Sequence, residues 1–211
     1  MASSLSKKDF LQKFELIKSN IDYQFHPIYN PFYQIDGDWY KERQEDFYIK
    51  YKIFASITQI LQPKHIIELG VCISSGAHAY LFGSPNSFYT GYDLFGNQKN
   101  NIREINTLEI AHDVLKNINA KYCLHKVDLR NLSILPEADF VAVDADHSFD
   151  SCYNDCVLAK TANPEYIFID DVLSDFVRKA SRKFIYENYK NIDWVAEIKY
   201  NCIGLLIKFN K

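Results

Sequence analysis

No apolar run in this 211-residue chain approaches the ~20 residues a membrane-spanning helix needs, so the sequence reads as that of a soluble protein. Its opening residues, MASSLSKKDF, lack the apolar segment of a signal peptide, and the expected location is the cytoplasm. Cysteine is present without a pattern. The five are scattered, none has zinc-ligand spacing, and Cys152 and Cys156 are too isolated to make a site. They read as reduced core thiols. Basic excess is also missing: the formal net charge is −3, which supplies no field for nucleic acid. Neither nucleic acid nor membrane is therefore an expected partner. There is no internal repeat and no low-complexity tract. The three-glycine fingerprint of dinucleotide-binding folds is absent as well. Two of its glycine positions read Cys72 and Ser74, so a snug pyrophosphate cradle is not expected.

What is present suits one α/β domain with an N-terminal appendage. A hydrophobic content of 47% is enough for a sizeable core. Phe10, Leu11, Phe14 and Ile17 recur at helical spacing over residues 7–19, with Ser6 placed to cap them. Residues 20–40 carry two prolines, one glycine and seven Tyr, Phe or Trp residues, and read as a loop. Rigid aromatics in such a loop either cover a ligand site or pack the first helix onto the body. Residues 42–61 form a longer amphipathic helix that ends before Pro63. From there strands and helices alternate. Strands are expected at HIIEL, 87–94, 121–128, 139–146 and 166–171, with helices over 75–82, 104–118, 151–160 and 175–189. WVAEIKY and CIGLLIKF close the chain as a strand pair. The expected fold is a doubly wound, Rossmann-like sheet of seven mostly parallel strands, the last antiparallel, with helices on both faces. The expected division is residues 1–62 as a helical and aromatic lid segment and 63–211 as the main domain.

The chain is organised around KHIIELGVCISSGAHAYLFG, residues 64–83, which reads as strand, tight turn and helix. Gly70 and the small residues through Ser74 let a ligand approach the carboxyl end of the first strand. A generic βα turn would look similar. Glu68-x-Gly70 followed by a small-residue turn nevertheless resembles motif I of the class I methyltransferases, which bind S-adenosylmethionine (SAM). Acidic residues then stand at successive strand ends: Glu68, Asp93, Asp128, Asp144 and Asp170. In an open α/β sheet those ends line the ligand crevice. Asp93 can accept from both ribose hydroxyls of a nucleoside, whichever nucleoside cofactor binds. Asp128 either contacts adenine, as the resemblance implies, or caps the turn that follows it.

Val143-Asp144-Ala145-Asp146-His147 together with Ile169-Asp170-Asp171 narrows the resemblance. The pattern is similar to that of metal-dependent class I O-methyltransferases, the catechol, caffeoyl-CoA and macrocin types, and nearest to the macrocin-type sugar enzymes. It covers about residues 64–175. The resemblance implies that Asp144, Asp170 and Asp171 bind a divalent cation and that His147, three positions after Asp144, is the base. It also implies that Glu68, Gly70, Ser74, Asp93, Asp128 and Asp144 bind the cofactor. Three converging carboxylates repel one another unless a cation neutralises them, and all-oxygen ligands suit Mg²⁺ or Mn²⁺. Asp146 is open between supporting the metal shell and capping the helix at 151.

The resulting expectation is methyl transfer from SAM to a hydroxyl of a small molecule or sugar. Metal coordination lowers the pKa of that hydroxyl, and His147 removes its proton. Tyr33, Trp39 and Tyr40 represent a substrate lid, although the same aromatics would serve a homodimer interface equally well. Two alternatives stay open. One is a nitrogen acceptor, marked by insensitivity to chelators. The other is a SAM-fold protein without catalysis, marked by failure to bind SAM or its product.

Overall fold

The computed structural model describes residues 5–23, 44–99, 104–200 and 202–210. Helix α1, Lys7–Asn20, begins where expected: the Ser6 hydroxyl accepts from the Asp9 amide at 3.2 Å. Helix α2, Gln44–Leu61, ends just before Pro63. The sheet then starts with β1, His65–Leu69, followed by α3, Ser75–Gly83, and β2, Phe88–Asp93. A short antiparallel pair, β3 Asn97–Lys99 and β4 Glu104–Asn106, comes next. Alternation resumes with α4, Thr107–Asn117; β5, Lys121–Lys126; β6, Phe140–Val143; and α5, Phe149–Thr161. The chain closes with β7, Tyr166–Ile169; α6, Asp175–Asn188; β8, Ile192–Lys199; and β9, Ile203–Phe209.

Seven strands form one sheet in the order β5-β2-β1-β6-β7-β9-β8. Pairing is parallel from β5 through β7, and β9 runs antiparallel to both its neighbours. This is the expected doubly wound sheet with an antiparallel last strand. The two central strands, β6 and β7, are buried at every position, as strands covered by helices on both faces must be. Among the described residues no helix is long and apolar enough to cross a membrane.

The two faces bury different sets of side chains. One holds Phe10, Phe14, Phe54, Tyr80, Phe140 and Phe168 in a single cluster, so α1 and α2 share a core with the sheet. Phe54 stacks on Tyr80 with centroids 5.0 Å apart and meets Phe168 edge-on at 5.3 Å. Thr58 ties α2 to α3 by donating to the Tyr80 carbonyl at 2.8 Å. The opposite face packs α5 and α6 through Cys152, Cys156, Val177 and Phe184.

Three expectations shift in detail. The strands expected over 121–128, 139–146 and 166–171 stop two or three residues early. Asp128, Asp144, Asp146, Asp170 and Asp171 consequently stand on loops just past the strand ends. The helix expected from 104 begins at Thr107, because residues 104–106 pair with β3 and Asn106 caps the helix by accepting from the Glu109 amide. That hairpin was not anticipated: three-residue strands carry too little period to be seen.

Candidate active site

The turn after β1 sets the floor of the site. Gly70 has φ +91°, and a Cβ there would lie 2.2 Å from the Asp144 carbonyl oxygen. Only glycine allows the β1 end to pass this close to the loop after β6. Cys72 and Ser74, at the two substituted glycine positions, keep the left-handed backbone that glycine would take, with φ 51° and 65°. Asp93 holds the turn in place. Its Oδ2 accepts from the amides of Val71 and Cys72 at 2.8 and 2.9 Å, and its Oδ1 accepts from Phe95 at 2.7 Å.

Above this floor opens a cavity of about 520 Å³ at the carboxyl ends of the strands. Gly70, Cys72, Asp93, Asp128, Asp144, Asp146 and Asp155 all line it. Among the described residues the one basic group on its wall is Arg130, which is already spent on Asp128. Asp128 caps the turn at Leu129–Asn131 by accepting from the Arg130 amide, and the guanidinium forks onto its carboxylate at 2.9 and 3.1 Å from Nε. These Arg130 bonds hold the Asp128 carboxyl below the usual range. The capping alternative therefore describes Asp128 in this structure, at a position that still borders the cavity. Asp146 braces the loop before α5: its Oδ1 accepts from the amide of Ser148 at 2.7 Å, and Ser148 itself caps the helix. Asp155, on α5, is buried, makes no hydrogen bond among the described residues, and is pushed up to about 7 by burial, with Asp146 and Asp128 adding to it.

Two expected cofactor residues do not line the cavity. Glu68 is 2% exposed and faces the first turn of α3, where a Cβ on Gly76 would lie 2.2 Å from its Oε1. It accepts from the Tyr89 hydroxyl, and burial pushes its carboxyl well up. Side chains alternate along a strand, and Glu68 falls on the α3 face. Ser74 is fully buried beneath the turn, and its hydroxyl has no hydrogen-bond partner.

Asp144 joins the cavity to a second cluster. His147 Nε2 lies 3.8 Å from Asp144 Oδ1 and 3.5 Å from Asp171 Oδ2. Asp144, His147 and Asp171 each offer a ligand atom, all within 4.8 Å of one another. The left-handed backbone of Asp171, φ 52°, turns its carboxylate back toward this group. The Asp144 carboxylate pulls His147 above the ordinary histidine range, against partial burial, with Asp171 and Asp170 adding to the pull.

Asp170 departs from expectation. Its side chain is 1% exposed, and both of its oxygens face protein groups. Tyr200 donates to Oδ1, and the ammonium of Lys50 lies against Oδ2. The same Lys50 Nζ is 3.5 Å from Asp144 Oδ2 and 3.7 Å from Asp171 Oδ2. The three carboxylates expected to gather around a metal ion are thus gathered around a lysine. Burial alone would lower the Lys50 pKa, but Asp144, Asp170 and Asp171 raise it far above the usual value. In return Lys50 and His147 hold Asp144 below its ordinary range despite burial. Asp170 stays raised because burial and the Asp144 charge outweigh Lys50. With Lys50 in place, the three-carboxylate set does not fit a divalent cation.

Lys50 and Tyr200 were not singled out in the sequence. One signal was present for Lys50: it lies three, four and seven positions before Ile53, Phe54 and Ile57, so it shares the buried face of α2. The expected lid residues Tyr33, Trp39 and Tyr40 lie outside the described residues.

The chain matches solved methyltransferase structures along nearly its whole length. PaMTH1 of Podospora anserina, a methyltransferase solved with bound S-adenosylhomocysteine (SAH), is 14% identical, with 100% of each chain covered and a TM-score of 0.62. The O-methyltransferase TomG of Streptomyces achromogenes, solved with SAM, is 13% identical over 99% of this chain and 100% of its own, with a TM-score of 0.62. An O-methyltransferase of Bacillus cereus in complex with SAH is 12% identical over 98% and 93%, at 0.57. No protein-family model and no curated protein matches the chain. At these identities the likeness is one of fold. The chain has the Rossmann-like fold of class I methyltransferases, with sheet order 3-2-1-4-5-7-6 when the seven strands of the main sheet alone are numbered along the chain.

Proposed function

We propose that this protein is a SAM-dependent O-methyltransferase acting on a hydroxyl of a small molecule or sugar. One observation carries the cofactor class: five carboxylates, Asp93, Asp128, Asp144, Asp146 and Asp155, line the cavity at the strand ends. A pyrophosphate-bearing dinucleotide would be repelled there, whereas SAM brings a sulfonium and an ammonium against a single carboxylate. When bound, SAM supplies a methyl group that leaves with the C–S electron pair remaining on sulfur. Gly70 and the turn through Cys72 bound the cavity floor. Asp93 presents a carboxylate whose orientation is already set by three backbone amides, as a ribose-hydroxyl acceptor requires. His147 stands where the cavity meets the acidic cluster and takes the acceptor hydroxyl proton on its ring nitrogen as the oxygen lone pair forms the new C–O bond. Asp144 and Asp171 orient that ring and stabilise the imidazolium it becomes. The products are a methyl ether and SAH. Much of the acceleration comes from holding two reactants in line.

A second reading adds a divalent cation, Mg²⁺ or Mn²⁺, and is favoured by the convergence of ligand atoms from Asp144, His147 and Asp171. Its donor set is two carboxylates and an imidazole, and it requires Lys50 to withdraw.

Calorimetric titration tests the proposal. SAH is expected to bind with a Kd of about 1–100 μM, and NADH is expected not to bind. No heat with SAH, or equal binding of NADH, would overturn it.

A further inference from the structure

Lys50 is a cation built into the place where the sequence pattern calls for a metal. Its Nζ contacts Asp170 and stands 3.5 Å from Asp144 and 3.7 Å from Asp171. The ammonium is therefore shared by all three carboxylates rather than paired with one. Its reach is set by the fold. Ile53, Phe54 and Ile57, on the same face of α2, are at most 1% exposed, so the helix cannot roll to carry the lysine away. The Phe54 ring lies 5.5 Å from Nζ and adds a cation–π contact behind it. Tyr200 holds the other oxygen of Asp170. A divalent ion taking these oxygens would share them with a positive charge held at the same place, and expelling that charge would break its ion pairs with all three carboxylates at once.

We infer that Lys50 is the resident cation of the Asp144–Asp170–Asp171 cluster, so that the methyl transfer proposed above runs at this site without a divalent metal. Lys50 acts as a positioning residue: it sets the charge and spacing of the carboxylates that flank His147. The inference rests on the methyltransferase reading only for its consequence in catalysis. The occupancy of the cluster stands apart from it.

The test is direct binding of Mn²⁺, followed by electron paramagnetic resonance of the free ion, without SAM or acceptor. Wild-type protein is expected to show no site tighter than about 1 mM. Lys50→Met leaves three carboxylates uncompensated and is expected to bind Mn²⁺ at least about tenfold more tightly, and a further Asp144→Asn change should abolish the gain. Lys50→Arg retains the charge and should stay as inert to Mn²⁺ as wild type. A wild-type site of micromolar affinity that Asp171→Asn removes would overturn the inference whether or not Lys50→Met folds. So would a folded Lys50→Met protein with no gain in affinity. A lack of SAH binding in calorimetry would remove the methyltransferase reading and leave the Mn²⁺ result to stand or fall alone.

Discussion

The turn after β1 and the cluster after β6 and β7 both bring acidic side chains to the carboxyl edge of the sheet, and they neutralise them differently. Asp93 is satisfied by backbone amides two, twenty-one and twenty-two residues away, Phe95 just past its own strand and Val71 and Cys72 on the turn after β1. Asp144, Asp170 and Asp171 share one ammonium delivered from α2, more than ninety residues earlier, with Tyr200 on Asp170 and His147 beside the other two. Backbone dipoles are supplied by any chain that turns correctly, so the first arrangement tolerates sequence change. The second depends on a single side chain of the right length and charge. One site is therefore robust and the other is switchable by one substitution.

The largest expected effect breaks the second site while sparing the first. Lys50→Met should cost about 3 kcal/mol, because removing one member of a buried charge group strands the others. Asp93→Asn keeps an acceptor for Val71 and Cys72 but turns an NH2 toward the Phe95 amide, and should cost about 1–2 kcal/mol. Urea unfolding of the two variants, compared in midpoint, checks the ordering. Equal losses would mean that the two regions are held alike.

Comparable in size is the effect of His147 on the rate. His147→Ala should lower kcat by about 10²–10³ while SAH affinity stays near wild type, since the residue lies beyond the cavity lining and acts on the acceptor proton. Single-turnover methylation with matched SAH titrations measures both. A large loss of SAH binding with little change in kcat would move His147 to the cofactor side of the comparison.

Asp155 sharpens the contrast from the cavity wall, where no cation and no amide among the described residues compensates it. Its folded pKa of about 7 lies above the ordinary value of 3.8, so between those pH values the folded protein keeps a proton that the unfolded chain releases. Its contribution to stability is fully present below pH 4, falls as pH rises to about 7, and is level beyond. Asp155→Asn should therefore raise the melting temperature at pH 8 and leave it nearly unchanged at pH 4. Melting curves across that range check the sign, and a larger gain in acid would contradict it.

The smallest effect concerns the turn itself. Ser74→Gly relieves a left-handed backbone worth ~1 kcal/mol and removes a buried hydroxyl without a partner, against the entropy cost of glycine. A net gain of about 1 kcal/mol is expected in the same urea assay. A loss would show that the serine has a role in the turn that its contacts do not reveal.

Much of the fold was legible because it rests on short-range rules. Alternation of apolar strands with amphipathic helices located every strand of the main sheet, and Ser6 capped α1 as its position predicted. The acids after β5, β6 and β7 were legible as a set, since strand ends in such a sheet share one edge. Their individual fates were not. Glu68 and Ser74 looked equivalent to Gly70 in the motif, yet they face α3 and the underside of the turn, a difference set by strand pleat and packing. Asp128 was open between two roles until Arg130 was seen forked on it.

By itself the sequence determined the doubly wound sheet, the tight turn at Gly70 and the gathering of acids at one edge, because period, backbone conformation and strand direction are local properties. Only the tertiary structure decided what balances those acids. Lys50 is one lysine among many along the chain. Its meeting with Asp144, Asp170 and Asp171 exists only once α2 is packed by Phe54 against Tyr80 and Phe168. Charge compensation across that distance is a property of the packed core, and no reading of residue spacing contains it.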